Sequence, residues 1–101
     1  MAAQRRGIGE IREALQKELP VLSQRYAIKS LGVFGSYVRG DQTPGSDLDV
    51  LVEFKQPPSL LEFIALEREL GDAVGIKVDL VMRDALKPAI GRHILDEVVP
   101  V

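Results

Sequence analysis

Two short elements in the middle of the chain carry side chains able to do chemistry. Gly35-Ser36 follows an apolar run (Leu31, Val33, Phe34), and ten residues further on stand Asp47 and Asp49, one residue apart. Glycine lets backbone come close to a ligand and takes positive φ without strain. Ser36 adds a hydroxyl and a backbone N–H where a helical turn begins, a position that attracts anions. Its natural target is a phosphate oxygen; the plainer alternative is a strand-to-helix turn with serine as its cap. Arg39, about one helical turn later, either meets phosphate or locks the loop by pairing with Asp41 or Asp47.

The aspartates point to a cation. Asp47 and Asp49 form an i, i+2 pair on a strand, so both carboxylates leave the same face with Cα atoms about 7 Å apart. Asp79 occupies the matching phase of another strand, opposite its own apolar neighbours. Adjacent strands would bring all three onto one patch, where like charges repel unless a cation neutralises them. Hard oxygen ligands of this kind suit Mg²⁺ or Mn²⁺, and a pair of such ions can activate an attacking oxygen and stabilise leaving pyrophosphate. An isolated Asp-x-Asp is more often a solvated strand face. Aspartate is depleted in strands, however, and three at one phase behind a Gly-Ser turn favour a metal and nucleoside triphosphate site.

The elements that must position these groups follow from periodicity. Ile8, Ile11, Leu15 and Leu22 predict an amphipathic helix over 8–18, extending to about Arg25 past a kink or break at Pro20. Leu31–Phe34 reads as a buried strand, residues 37–39 as a short helical turn, and 40–46 as a loop. Asp47–Phe54 alternates, with Leu48, Val50, Val52 and Phe54 facing one way and Asp47, Asp49, Leu51 and Glu53 the other. Ser59 and Glu62 form a capping box for a helix lined by Phe63, Leu66, Leu70 and Val74 and ended by Gly75. Lys77–Met82 is a third strand. Asp84 is expected to cap a last helix with Pro88 in its first turn, an Ile90-Ile94-Val98 stripe, and Pro100 as its stop. The fold class is α/β (α+β), and residues 1–101 read as one small domain.

Composition removes several classes of function. Apolar residues make up 46% and charged residues 28% of the 101, ordinary for a globular protein, and the net charge of -2 offers no broad attraction to nucleic acid. There is no cysteine, so disulfides and thiolate metal sites are excluded. No apolar stretch approaches the roughly 20 residues of a membrane span and no signal-peptide pattern opens the chain, which makes cytoplasmic the expected location.

The composite pattern resembles a known family. Gly35-Ser36, ten residues, then Asp47-Leu48-Asp49 matches the GSX10DXD signature of the DNA-polymerase-β-like nucleotidyltransferases. The fuller set Gly35, Ser36, Arg39, Gly40, Ser46, Asp47 and Asp49 is similar to their minimal members, the MNT-domain antitoxins paired with HEPN-domain toxins. Asp79 falls where the family's third carboxylate is expected, and the likeness covers nearly the whole chain. The resemblance implies a small mixed sheet backed by helices, Mg²⁺ (two ions) at Asp47, Asp49 and Asp79, and ATP held through Gly35, Ser36 and Arg39. It implies AMP transfer from ATP to a hydroxyl, a tyrosine, of a partner HEPN toxin, as the antitoxin of a type VII-like toxin–antitoxin pair. Asp79 would assist deprotonation of the acceptor.

Two alternatives stand beside that reading. One is an antitoxin that neutralises its partner by binding alone; the other is a small-molecule nucleotidyltransferase subunit of the aminoglycoside type, which usually has a second domain. Template-directed polymerisation would need a basic, nucleic-acid-gripping surface. So small a domain has little wall around a nucleotide, so a homodimer or hetero-oligomer fits. Of the remaining residues, His93 is expected at the surface, Tyr37 either packs or stacks on a nucleobase, Glu53 is solvated, and Glu67-Arg68-Glu69 is a charged helix face.

Overall fold

The two aspartate-bearing segments lie side by side in a four-stranded mixed sheet. The computed structural model describes residues 7–101. Element order is α1 (Ile8–Tyr26), β1 (Ile28–Phe34), α2 (Ser36–Arg39), β2 (Leu48–Phe54), α3 (Leu60–Val74), β3 (Val78–Met82), a 3-10 turn (Arg83–Ala85), α4 (Pro88–Glu97) and β4 (Val99–Pro100). The strands run in the order β3-β2-β1-β4. β1 is antiparallel to both β2 and β4, whereas β2 and β3 are parallel, with α3 as their crossover.

Strand alternation divides the sheet into two faces. Leu31 and Val33 of β1, Leu48, Val50 and Val52 of β2, and Val78 and Leu80 of β3 join Ile11, Leu15 and Leu22 of α1 and Leu66, Leu70 and Val74 of α3 in one apolar core. The opposite face carries Asp49 and Asp79, with Leu51 and Gly32 paired further along. Leu51, which the alternation grouped with the polar residues, is buried there beside Leu95 and Val98, in a recess of about 200 Å³.

The first helix runs past Pro20 to Tyr26, close to the end expected near Arg25, while the last helix departs from the sequence reading. Pro20 lies within α1 without ending it; both Pro20 and Gln16, whose carbonyl loses its helical partner, lie on the solvent-exposed side of the helix. α1 stops at Ala27, in the left-handed region at φ 54, whose N–H donates to the Ser23 carbonyl. Asp84 does not cap α4: it lies in the 3-10 turn, Lys87 is the N-cap, and Pro88 opens the helix as expected. The Ile90-Ile94-Val98 stripe does not form a buried face. Ile90 is exposed, Gly91 is the buried residue, and Val98 lies beyond the helix end.

The unanticipated element is β4. Val99 pairs with Val33 and Pro100 with Gly32, the Val101 N–H donates to the Leu31 carbonyl at 2.9 Å, and Arg12 Nε of α1 donates to the Pro100 carbonyl at 2.8 Å. Gly32 makes this close approach achievable, because a Cβ there would meet Cγ2 of Val98 at 2.6 Å and the Val99 carbonyl oxygen at 3.3 Å. On the other side of the sheet β3 is an edge strand, and Glu67 of α3 accepts its Leu80 N–H at 2.8 Å. Glu69 of the same helix takes Tyr26 and Arg25 of α1, so two members of the charged face have structural work. Gly32→Ala should cost about 1–3 kcal/mol, the usual penalty for overpacking a closed contact, and should speed hydrogen exchange at the Val101 amide. Chemical denaturation and exchange measurements check both.

Candidate active site

The site forms where β1 ends against β2. Gly35 is buried at φ 84 and ψ −155, and its carbonyl accepts the N–H groups of Val38 at 3.0 Å and Arg39 at 3.1 Å, curling Ser36–Arg39 into one helical turn. Gly40 at φ 82 closes the turn with its N–H on the Ser36 carbonyl. Ser46 braces the loop that follows: its Oγ accepts the Thr43 N–H at 2.8 Å and its N–H returns to the Thr43 carbonyl at 2.9 Å. Tyr37 packs against the core with its hydroxyl 3.4 Å from the Ser46 carbonyl, so of its two expected roles this one is seen.

Register then delivers the carboxylates. Asp49 stands opposite Phe34, the residue before Gly35, in β1, and directly beside Asp79 in β3. Asp47, exposed, precedes β2 at the same phase. The approach to the turn is so close that a Cβ at Gly35 would fall on Oδ2 of Asp49; positive φ and this contact both require glycine. Burial is the main reason the Asp49 carboxyl titrates above the usual aspartate range, and Asp79, Asp47 and Glu97 add to it while Arg39 opposes it. Among the described residues, no three His, Cys, Asp or Glu side chains are already drawn together into a metal-holding group. The hard carboxylate donors nevertheless fit a divalent cation, which would offset both the burial and the neighbouring acids that raise Asp49.

Arg39 takes the loop-locking role, though with partners only half anticipated. Its Nε lies 3.4 Å from Oδ2 of Asp41, and its Nη1 donates to Oε1 of Glu97 at 2.9 Å. Glu97, at the end of α4, also accepts the Gly35 N–H through Oε2 at 2.8 Å. These bonds, the Gly35 amide first, hold its carboxyl below the usual glutamate range. Nothing in the sequence separates Glu97 from its solvated neighbour Asp96; only the clip of β4 onto β1 brings it to the turn. Glu53, expected to be solvated, accepts from Ser30 and Arg83 and lies 3.7 Å from Lys29, while His93 is exposed as anticipated.

A mixed sheet with a Gly-Ser turn beside paired aspartates defines a nucleotidyltransferase, and the chain belongs to the nucleotidyltransferase domain family, whose model matches residues 8–101. Among its relatives, the protein adenylyltransferase MntA of Thermococcus cleftensis is 47% identical over 90 residues, covering 89% of this chain and 91% of its own. A solved structure described as a minimal nucleotidyltransferase superposes with a TM-score of 0.79 at 30% identity, covering 98% of this chain and 100% of its own. The expected fold is thereby borne out. The MNT antitoxin complex with a tri-AMPylated HEPN toxin of Shewanella oneidensis gives a TM-score of 0.58 at 18% identity, over 91% and 66% of the two chains, a likeness of fold alone. No helix among the described residues is long and apolar enough to cross a membrane.

Opposite pH behaviour is expected at the two carboxylates. A raised carboxyl makes folding progressively less favourable as the pH rises from its unfolded value through its folded value, and a depressed one supports folding until the pH falls through its folded value. Asp49→Asn should therefore raise the melting midpoint at pH 7 in metal-free buffer, a gain that fades below the ordinary aspartate range. Glu97→Gln should lower the midpoint at pH 7, a loss that fades in acid. Each shift is on the order of a few degrees in a domain of this size, and melts from about pH 3 to 8 check them.

Proposed function

We propose that this chain transfers AMP from ATP to a side-chain hydroxyl, a tyrosine, of a partner HEPN-domain toxin and thereby acts as its antitoxin in the cytoplasm. The observation that carries the reading is the in-register pair Asp49–Asp79 beside the Gly35 turn, in a chain 47% identical to a protein adenylyltransferase. The AMPylated toxin found with an antitoxin of the same fold supports the partner class.

In this reading Gly35, Ser36 and Arg39 hold the triphosphate, with the Ser36 hydroxyl and the free donors of the Arg39 guanidinium on its oxygens. Asp47, Asp49 and Asp79 hold Mg²⁺. Bound there, magnesium supplies neutralisation of phosphate charge and a polarised path for the leaving group. The acceptor oxygen attacks the α-phosphorus, the bond from that phosphorus to the bridging oxygen breaks, and pyrophosphate departs with the electron pair. Asp79, exposed at the outer side of the pair, takes the proton from the acceptor hydroxyl. With its site open on one sheet face, the chain relies on the toxin to complete the acceptor side.

Incubation with Mg²⁺, ATP labelled at the α-phosphate and the HEPN protein encoded beside it should move label onto that partner. Asp47→Asn with Asp49→Asn, or a chelator, should reduce transfer about 100-fold or more, the scale of losing a key electrostatic stabiliser. A doubly substituted chain that still blocks the toxin fully without transferring label would instead establish neutralisation by binding.

A further inference from the structure

We propose that Glu97 is a positioning residue for the nucleotide: it holds the Gly35–Arg39 turn in the shape that receives the triphosphate without touching the phosphates itself. The inference rests on the nucleotide reading above.

A single carboxylate grips both ends of the turn. Oε2 accepts the Gly35 N–H at 2.8 Å, where the chain leaves β1, and Oε1 accepts from Arg39 Nη1 at 2.9 Å, where the turn closes. The Glu97 side chain is 15% exposed, against 50% for Arg39 and 62% for Asp41, so the glutamate is the fixed half of the pair. Its own position is determined on both sides. The Val98 N–H ends α4 on the Ile94 carbonyl at 2.9 Å, and β4 begins at the next residue, pairing with Val33.

The two bonds do different things. Gly35 is buried at φ 84, where the strand no longer continues, and among the described residues its N–H donates to Glu97. Arg39 spends Nη1 on Glu97 and Nε on Asp41, which fixes the guanidinium plane yet leaves further donors of its fork for an anion. The opposite role, an internal anion that competes with phosphate for these donors, predicts an effect of opposite sign.

Calorimetric titration of Mg²⁺·ATP onto the purified chain separates them. Glu97→Ala should weaken binding about 10-fold, the scale of a lost charge-assisted hydrogen bond, and Glu97→Gln, which keeps an acceptor for Gly35, should recover part of that loss. Leu95→Ala trims the packing of α4 without touching the turn and should lower stability while leaving affinity unchanged. Unchanged or tighter binding by Glu97→Ala, or an equal loss in Leu95→Ala, would overturn the proposal. Absence of binding by the unaltered chain would overturn the nucleotide reading, and this inference with it.

Discussion

Partial burial of the Asp49 carboxylate beside Asp79, its neighbour across two parallel strands, is the constraint to which the rest of the structure answers. Partial burial withdraws the Asp49 carboxylate from water, and the like charge of Asp79 beside it adds to the cost of ionising it. What holds them is the reverse side of the same strands, where Leu48, Val50, Val52, Val78 and Leu80 are buried. Burying each such side chain contributes about 1.5–3 kcal/mol, and that gain on the core face holds the strands in register. Parallel pairing in turn demands a crossover, and α3 supplies it while closing the core with Leu66, Leu70 and Val74.

The same economy explains why distant parts of the chain meet at the turn after β1. Gly35 must present its backbone within reach of Asp49, which leaves a buried amide at an unusual dihedral and an arginine close to several acids. The acceptor for that amide comes from 62 residues away, carried in on α4 and secured by two residues of β4. The C-terminal helix thus has little buried surface of its own and is tied to the sheet chiefly through its flanks.

Legibility in the sequence followed the range of the forces involved. The strands over 48–54 and 78–82 were readable because alternation is local, and the capping box at Ser59 and Glu62 because its donors and acceptors lie within one turn. Adjacency of Asp49 and Asp79 was conditional on strand order, which phase alone does not determine. β4 was unreadable: two residues, one of them proline, hold no periodicity, and only the missing side chain of Gly32 admits them. Glu97 was hidden for the same reason, its partner being chosen by that pairing. Leu51 was placed with the polar face correctly, but α4 covers it.

The bond from the Leu80 amide to Glu67 bears on how this protein meets other chains. β3 ends the sheet among the described residues, and an unpaired outer strand is the usual template on which a foreign strand aligns. Here a carboxylate already occupies one of its donors, at the middle of a strand only five residues long. An incoming strand would have to displace a charged acceptor before gaining its first bonds, and would gain few afterwards. A strand added along that margin would therefore gain less than one added to an unguarded edge.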